Sequence, residues 1–194
     1  MRHAFKEWAI IVDALMRGEQ IIVLRKGGLI EASHGFEVEH PEFLLFPTLF
    51  HQQRESVLAE AQARFDQIAH LMPGPEVVRL ECFARVVDWH RLESLAEAYA
   101  LRGLHIWRNE VIDERFDWGH SKQIHVMAVR IFRLASPVEL PMRESYAGCK
   151  SWIEMSEDIS KVGAHAVLDD NAFAAQLLRF HKALEPVANL DVPP

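Results

Sequence analysis

Between Arg108 and Trp152 the chain interleaves cations with aromatic rings. Arg108, Arg115, Phe116, Trp118, Gly119 and His120 come first, and Tyr146-Ala147-Gly148-Cys149-Lys150-Ser151-Trp152 follow. A cation grips a phosphate while a neighbouring ring stacks on a base or another planar group. Gly148 permits a tight turn or a close approach of ligand to backbone. This pattern predicts that Arg115, Trp118, Tyr146, Lys150 and Trp152 gather around one concave patch, although Arg115 and Lys150 stand 35 residues apart. An anion with a planar ring suits such a set better than a plain carboxylate or a sugar. The same residue types also serve as core or rim aromatics beside solvated arginines. Only their placement in space separates the two readings.

A second group is rich in imidazole and carboxylate: His34, Glu37, Glu39, His40 and Glu42, with His51 and Glu55 beyond. Carboxylate oxygens suit hard divalent cations, and imidazole suits zinc, manganese or iron. Glu37, Glu39, His40 and His51 therefore form the alternative metal set. Their spacing argues for less, because in an extended segment Glu37 and Glu39 share a face while His40 points away. A solvated connection between strands is the plainer reading, so no metal and no cofactor is expected. No GxGxxG, Walker loop, GxSxG or HExxH occurs, and no CxxC pair offers a common zinc site. The restriction-nuclease pattern fails for want of a Glu-x-Lys in the strand segments. A Nudix pattern fails too, because Arg54-Glu55 is followed by Ser56-Val57-Leu58-Ala59.

The elements that must position these residues follow from apolar spacing. Phe5, Trp8, Ala9, Val12, Leu15 and Met16 predict a helix over 5–16 with Trp8 buried in the middle of its stripe, and Gly18 sits where a C-terminal cap belongs. Gln20 to Arg25 reads as a strand ended by Gly27-Gly28, and 42–46 as a short strand stopped by Pro47. Helical spacing returns over 54–72 and ends at Pro73-Gly74-Pro75, the best internal boundary in the chain. Segment 76–89 predicts a strand buried on both faces. A helix over 93–101, a brief strand over 104–107 and a helical turn over 110–116 come next. The strongest late strand is 124–134, with a further extended piece between Pro137 and Pro141. Asp169 or Asp170 caps a last helix whose apolar face is Phe173, Leu177, Phe180 and Leu184.

The 194 residues are 49% apolar and 25% charged, the make-up of an ordinary globular chain. The expected fold class is α+β, a mixed sheet flanked by amphipathic helices, forming one unit over 1–194 with a possible boundary at 73–75. A net charge of −7 argues against broad phosphate binding but leaves room for a small basic site. Cys82 and Cys149 are too few for a disulfide framework and are expected to be free thiols. Eleven histidines bring the net charge through zero in mild acid, which lowers solubility there. No apolar run reaches the roughly 20 residues of a membrane span, and no signal-peptide pattern opens the chain. A cytoplasmic location is expected.

Read together, Phe5-Lys6-Glu7-Trp8-Ala9, Arg17-Gly18-Glu19-Gln20, Leu24-Arg25-Lys26-Gly27-Gly28, 43–48, His51-Gln52, Leu104-His105-Ile106-Trp107, Glu114-Arg115-Phe116 and Gly148-Cys149-Lys150-Ser151-Trp152 resemble the bacterial family called domain of unknown function 1802. The resemblance runs through Val167-Leu168-Asp169-Asp170 and implies no activity. The second half is also loosely similar to PUA-like β-barrels of the ASCH and EVE type, which implies a cleft that reads a base or nucleotide. The leading functional expectation is therefore a binding module for nucleic acid or nucleotide. The alternatives are a metal-dependent hydrolase, or a non-catalytic interaction subunit whose amphipathic helices serve a partner or a homo-oligomer.

Overall fold

The computed structural model describes residues 1–26, 31–32, 35–36, 40–50, 53–119, 121–148 and 150–185. In chain order it contains β1 (His3–Trp8), α1 (Ala9–Met16), β2 (Ile22–Arg25), β3 (Glu31–Ala32), β4 (Gly35–Phe36), β5 (Glu42–Thr48), α2 (Ala59–Leu71), β6 (Val77–Leu92), α3 (Leu95–Ala100), α4 (Asn109–Asp117), β7 (Ile124–Pro141), β8 (Trp152–Glu154), β9 (His165–Ala166) and α5 (Asp170–Leu184). The fold is α+β. Among the described residues no helix is long and apolar enough to cross a membrane.

One mixed sheet runs β2-β7-β6-β5-β1-β8, with β9 on β7; β3 and β4 pair separately. β1 and β5 are parallel, and the other pairs in the large sheet are antiparallel. The long β6 and β7 form its spine, and two register shifts, at Leu80/Cys82 and Val86/Asp88, add local twist. The sheet curls into a half-barrel. Arg25, at the end of β2, donates from Nη2 to Ser151 Oγ at 2.9 Å, next to β8, so the two ends of the strand order meet. Strands on both sides of Pro73-Gly74-Pro75 share this sheet.

Two apolar clusters occupy its two faces. The larger gathers Phe5, Phe43, Leu45, Val126 and Val129 under α1, α2, α4 and α5. The smaller holds Ala4, Leu44, Phe46, Leu80, Phe83, Tyr146 and Ile153. The alternation of Ala4 with Phe5, and of Leu44 with Leu45, is the two-residue period of a strand covered on both sides.

The helix expected over 5–16 is corrected at its N-terminal half. Phe5 to Trp8 pair in parallel with Leu45 to Thr48, and the helix starts only at Ala9. The apolar spacing fits either conformation locally; a partner strand some 40 residues on decides. Trp8 is consequently half-buried rather than enclosed. Gly18 does cap α1: at φ +68° it lets Gly18 N–H reach Leu15 O and Glu19 N–H reach Ala14 O, a Schellman pair. β5 continues through Pro47 to Thr48, because beyond Leu44 it has no β6 partner to miss the absent N–H. The brief strand expected over 104–107 reduces to a single bridge, Trp107 to Val57. Pro137 and Pro141 lie within β7 instead of bracketing a separate piece. Asp169 caps α5, its Oδ1 accepting from Ala172 N–H at 2.8 Å.

Candidate functional site

The five residues that the sequence groups as one patch stand in different surroundings. Arg115, on the last turn of α4, and Trp152, first residue of β8, both pack against the larger cluster or its rings. Lys150 is exposed, one residue before Ser151. Trp118 ends α4 with 72% of its surface exposed. Tyr146 is on the other face of the sheet, 1% exposed, in the smaller cluster with its ring 6.1 Å from Phe46. Its hydroxyl is 2.6 Å from Ser156 Oγ and accepts from Ser156 N–H at 3.0 Å. Gly148 adopts φ +80°, and its carbonyl accepts from Lys6 Nζ at 2.9 Å. Of the alternative metal set, Glu37, Glu39 and His51 lie outside the described residues, as does Cys149. His40 stacks on His3 with ring centres 3.6 Å apart. Among the described residues no group of three His, Cys, Asp or Glu is placed to hold a metal ion.

Arg115 and Trp152 instead belong to a polar seam that runs beside the C-terminal ends of β1 and β2. Strand parity turns Phe5 and Glu7 to one face of β1, and Glu7 is only 1% exposed. Its Oε1 accepts from Trp8 N–H at 2.7 Å. Its Oε2 stands 3.7 Å from Arg25 Nη1, too long for a hydrogen bond, and has no hydrogen-bond partner. The Arg25 guanidinium lies 4.6 Å from the Phe5 ring centre, and Thr48 Oγ1 donates to Glu7 O at 3.2 Å.

Arg115 donates from Nη1 to Leu24 O at 2.7 Å, with its guanidinium 5.0 Å from the Trp8 ring centre and 5.1 Å from that of Trp107. Burial pushes its pKa down to about 10; Glu7 opposes this and Arg25 adds to it, so Arg115 remains a cation at neutral pH. Beyond it, His105 and Trp107 are buried. Neither ring nitrogen of His105 has a hydrogen-bond partner, nor has Trp107 Nε1 or Trp152 Nε1. Burial first, and then the Arg115 charge, push His105 down to about 4. Trp152 completes the seam against Phe5 at 4.8 Å, Phe43 at 5.0 Å and His40 at 5.1 Å. Lys26 braces one side, donating to Phe116 O at 3.0 Å, to Gln123 O at 3.1 Å and to Ser121 O, which ties the segment after α4 to β2. Burial, with the neighbouring Lys122, lowers its pKa against the pull of Asp117.

Residues 4–178 match the family described as Domain of unknown function (DUF1802). The chain belongs to this family. None of the curated proteins compared matches it. Among solved structures it is similar to the crystal structure of ASCH from Zymomonas mobilis, at 9% identity, over 91% of this chain and 92% of that one, with a TM-score of 0.45. A mutant form of the same Zymomonas mobilis protein matches at 10% identity, over 91% and 95%, with a TM-score of 0.42.

The sequence reading did not single out Glu7, Trp8, Arg25 and Trp107, which the fold places in this seam. Two signals were present: an acid at the parity of a buried phenylalanine in Phe5-Lys6-Glu7, and an arginine closing a β-branched run before two glycines. A concavity of about 340 Å³ lies elsewhere, between α1, the end of α2 and β6, lined by Val12, Met16, Ile68, Leu71 and Met72 among others. Its charges are engaged with other groups, Asp13 with Arg17 and Arg64, and Arg79 with Glu81 and Glu139. In the seam, charge, aromatic faces and buried polar atoms without hydrogen-bond partners coincide.

Proposed function

We propose that the seam binds an anion that carries a planar ring, a nucleotide or a short stretch of single-stranded nucleic acid. The observation that supports this is the convergence of Arg25 and Arg115, from separate elements, beside the half-buried rings of Trp8 and Trp152, over a floor of the buried Phe5 and Trp107. Guanidinium forks match phosphate oxygens two at a time, and indole faces stack on bases of any sequence. The chain's net charge of −7 argues against broad phosphate binding and leaves room for a small basic site. A two-cation site in an acidic protein gives weak binding with a shallow salt dependence. Each neutralised phosphate of a single strand contributes a slope of about −0.7, so two give about −1.4 in log K against log salt.

The test is a titration of intrinsic tryptophan fluorescence with single-stranded hexanucleotides and nucleoside monophosphates at low and at moderate salt. Saturable quenching with that slope, reduced about tenfold or more in Arg25→Ala, is the expected result, since a charge-assisted hydrogen bond contributes about 1.5–3 kcal/mol. Absence of saturable binding by either probe at low salt refutes the reading.

A further inference from the structure

We infer that the seam takes a single strand of several nucleotides in preference to a lone nucleotide, its outer bases stacking on Phe50 and Trp118. This deepens the proposed function and rests on it. Among the described residues the other phenylalanine, tyrosine and tryptophan rings are buried or half-buried. Phe50 and Trp118 stand out in solvent, with 62% and 72% of their surface exposed. Both border the seam. Phe50 lies two residues past the end of β5 at Thr48, the register partner of Trp8. Trp118 lies one residue past α4 and three past Arg115. The curled strand order runs β5, β1, β8 and then β2. Phe50 thus stands at the β5 side. Trp118 stands at the β2 side, where Lys26 holds its loop. Between those sides Arg25 meets Ser151, with the exposed Lys150 next in the chain.

Each ring rides on backbone that buried or bracing partners hold in place. Gln53, itself buried, closes the turn after β5 in both directions. Its Oε1 accepts from Phe50 N–H at 3.2 Å, and its own N–H donates to Phe50 O at 3.0 Å. Trp118 N–H donates to Glu114 O at 2.9 Å, and Lys26 Nζ donates to Phe116 O and Gln123 O on either side of Trp118. A ring presented from fixed backbone gives up little freedom when a base settles on it. Single apolar side chains are common on surfaces, but two aromatic ones at either side of the same cations match the way single strands are held. Bases stack on successive rings while the backbone follows the positive charge. A lone nucleotide covers the half-buried rings of Trp8 and Trp152 and leaves Phe50 and Trp118 bare.

The experiment is calorimetric titration of the full chain at pH 7.5 and low salt. The probes are thymidine 5′-monophosphate, the thymidine hexamer, and a hexamer of abasic deoxyribose phosphates that keeps the charge without the bases. The thymidine hexamer is expected to bind at least tenfold more tightly than either other probe. Phe50→Ala and Trp118→Ala should each weaken hexamer binding about tenfold and leave monophosphate binding unchanged. Both positions are exposed, and thermal melting verifies that the variants fold. Leu178→Ala, at an exposed apolar position on α5, should bind every probe as the wild type does. Equal binding of thymidine hexamer and monophosphate overturns the inference and leaves the proposed function standing. So does hexamer affinity unchanged in both folded variants, the result expected if these rings meet a protein instead. Failure of every probe to bind overturns both.

Discussion

The seam at Glu7 and the corner at Tyr146 use similar residues for opposite ends. Both combine aromatic rings with cations, and the sequence pattern groups them as one patch. At the corner every polar group is answered: the Tyr146 hydroxyl bonds Ser156 twice, and Arg143 pairs with Glu157 at 3.0 Å. Serine and arginine together hold the Glu157 carboxyl below its usual range. In the seam Glu7 Oε2, both nitrogens of His105 and the indole nitrogens of Trp107 and Trp152 go without hydrogen-bond partners. The lesson is that residue type does not separate scaffold from site. Hydrogen-bonding differs between these two regions, and an unanswered buried polar atom costs about 1–3 kcal/mol.

The largest expected effect breaks the corner. Tyr146→Ala removes a fully buried ring and should cost about 3–5 kcal/mol in denaturant unfolding. Tyr146→Phe should cost about 1–2 kcal/mol by stranding Ser156 N–H. Neither should change ligand affinity at temperatures where the protein stays folded. A loss of binding in folded Tyr146→Phe would place the corner back in the site.

A pH titration of stability sharpens the other side. His105 has a folded pKa of about 4, below the value of about 6.5 that it takes when unfolded. Its neutral form is the one the fold accommodates. The associated stability is therefore present above pH 6.5 and is lost as pH falls from about 6.5 towards 4, reaching about 3 kcal/mol. His105→Phe abolishes this titration beside Trp107. The stability of the variant relative to wild type should rise steadily over that window, read from urea midpoints at several pH values. A constant difference between the two proteins from pH 7.5 to 4.5 would contradict the enclosed, neutral imidazole.

The smallest expected effects separate ring from charge within the site. Trp152→Ala should weaken oligonucleotide binding by ten- to a hundredfold, because base stacking contributes about 1–3 kcal/mol. Lys150→Ala, at an exposed position, should lower affinity only modestly and reduce the salt slope by about 0.7 if its charge faces a phosphate. The two variants distinguish stacking from charge, and reversed magnitudes would mean that the rings are scaffold only.

Much of the architecture was legible because it depends on near neighbours. Gly18 stops α1 through its own backbone angle, and Asp169 starts α5. The valine-rich and alternating runs of β6 and β7 declare themselves by composition. The family was equally visible, since short motifs spread along the chain carry it. The site was legible only in part. Arg115 and Trp152 were picked out by type, while Glu7 and Trp8 read as positions on a helix.

What the tertiary structure alone decided is which groups meet. Phe5 to Trp8 are a strand because Leu45 to Thr48 lie alongside, and that pairing sets the parity that turns Glu7 inward. Arg25 reaches Ser151, 126 residues away, because the sheet curls until its ends touch. Tyr146 and Trp152 stand six residues apart in sequence, yet the first joins the smaller cluster and the second packs on the larger. Propensity, capping and apolar period are local and are written in the chain. Strand partnership, curl and the cost of burying a charge depend on residues far apart, so they exist only once the chain has folded.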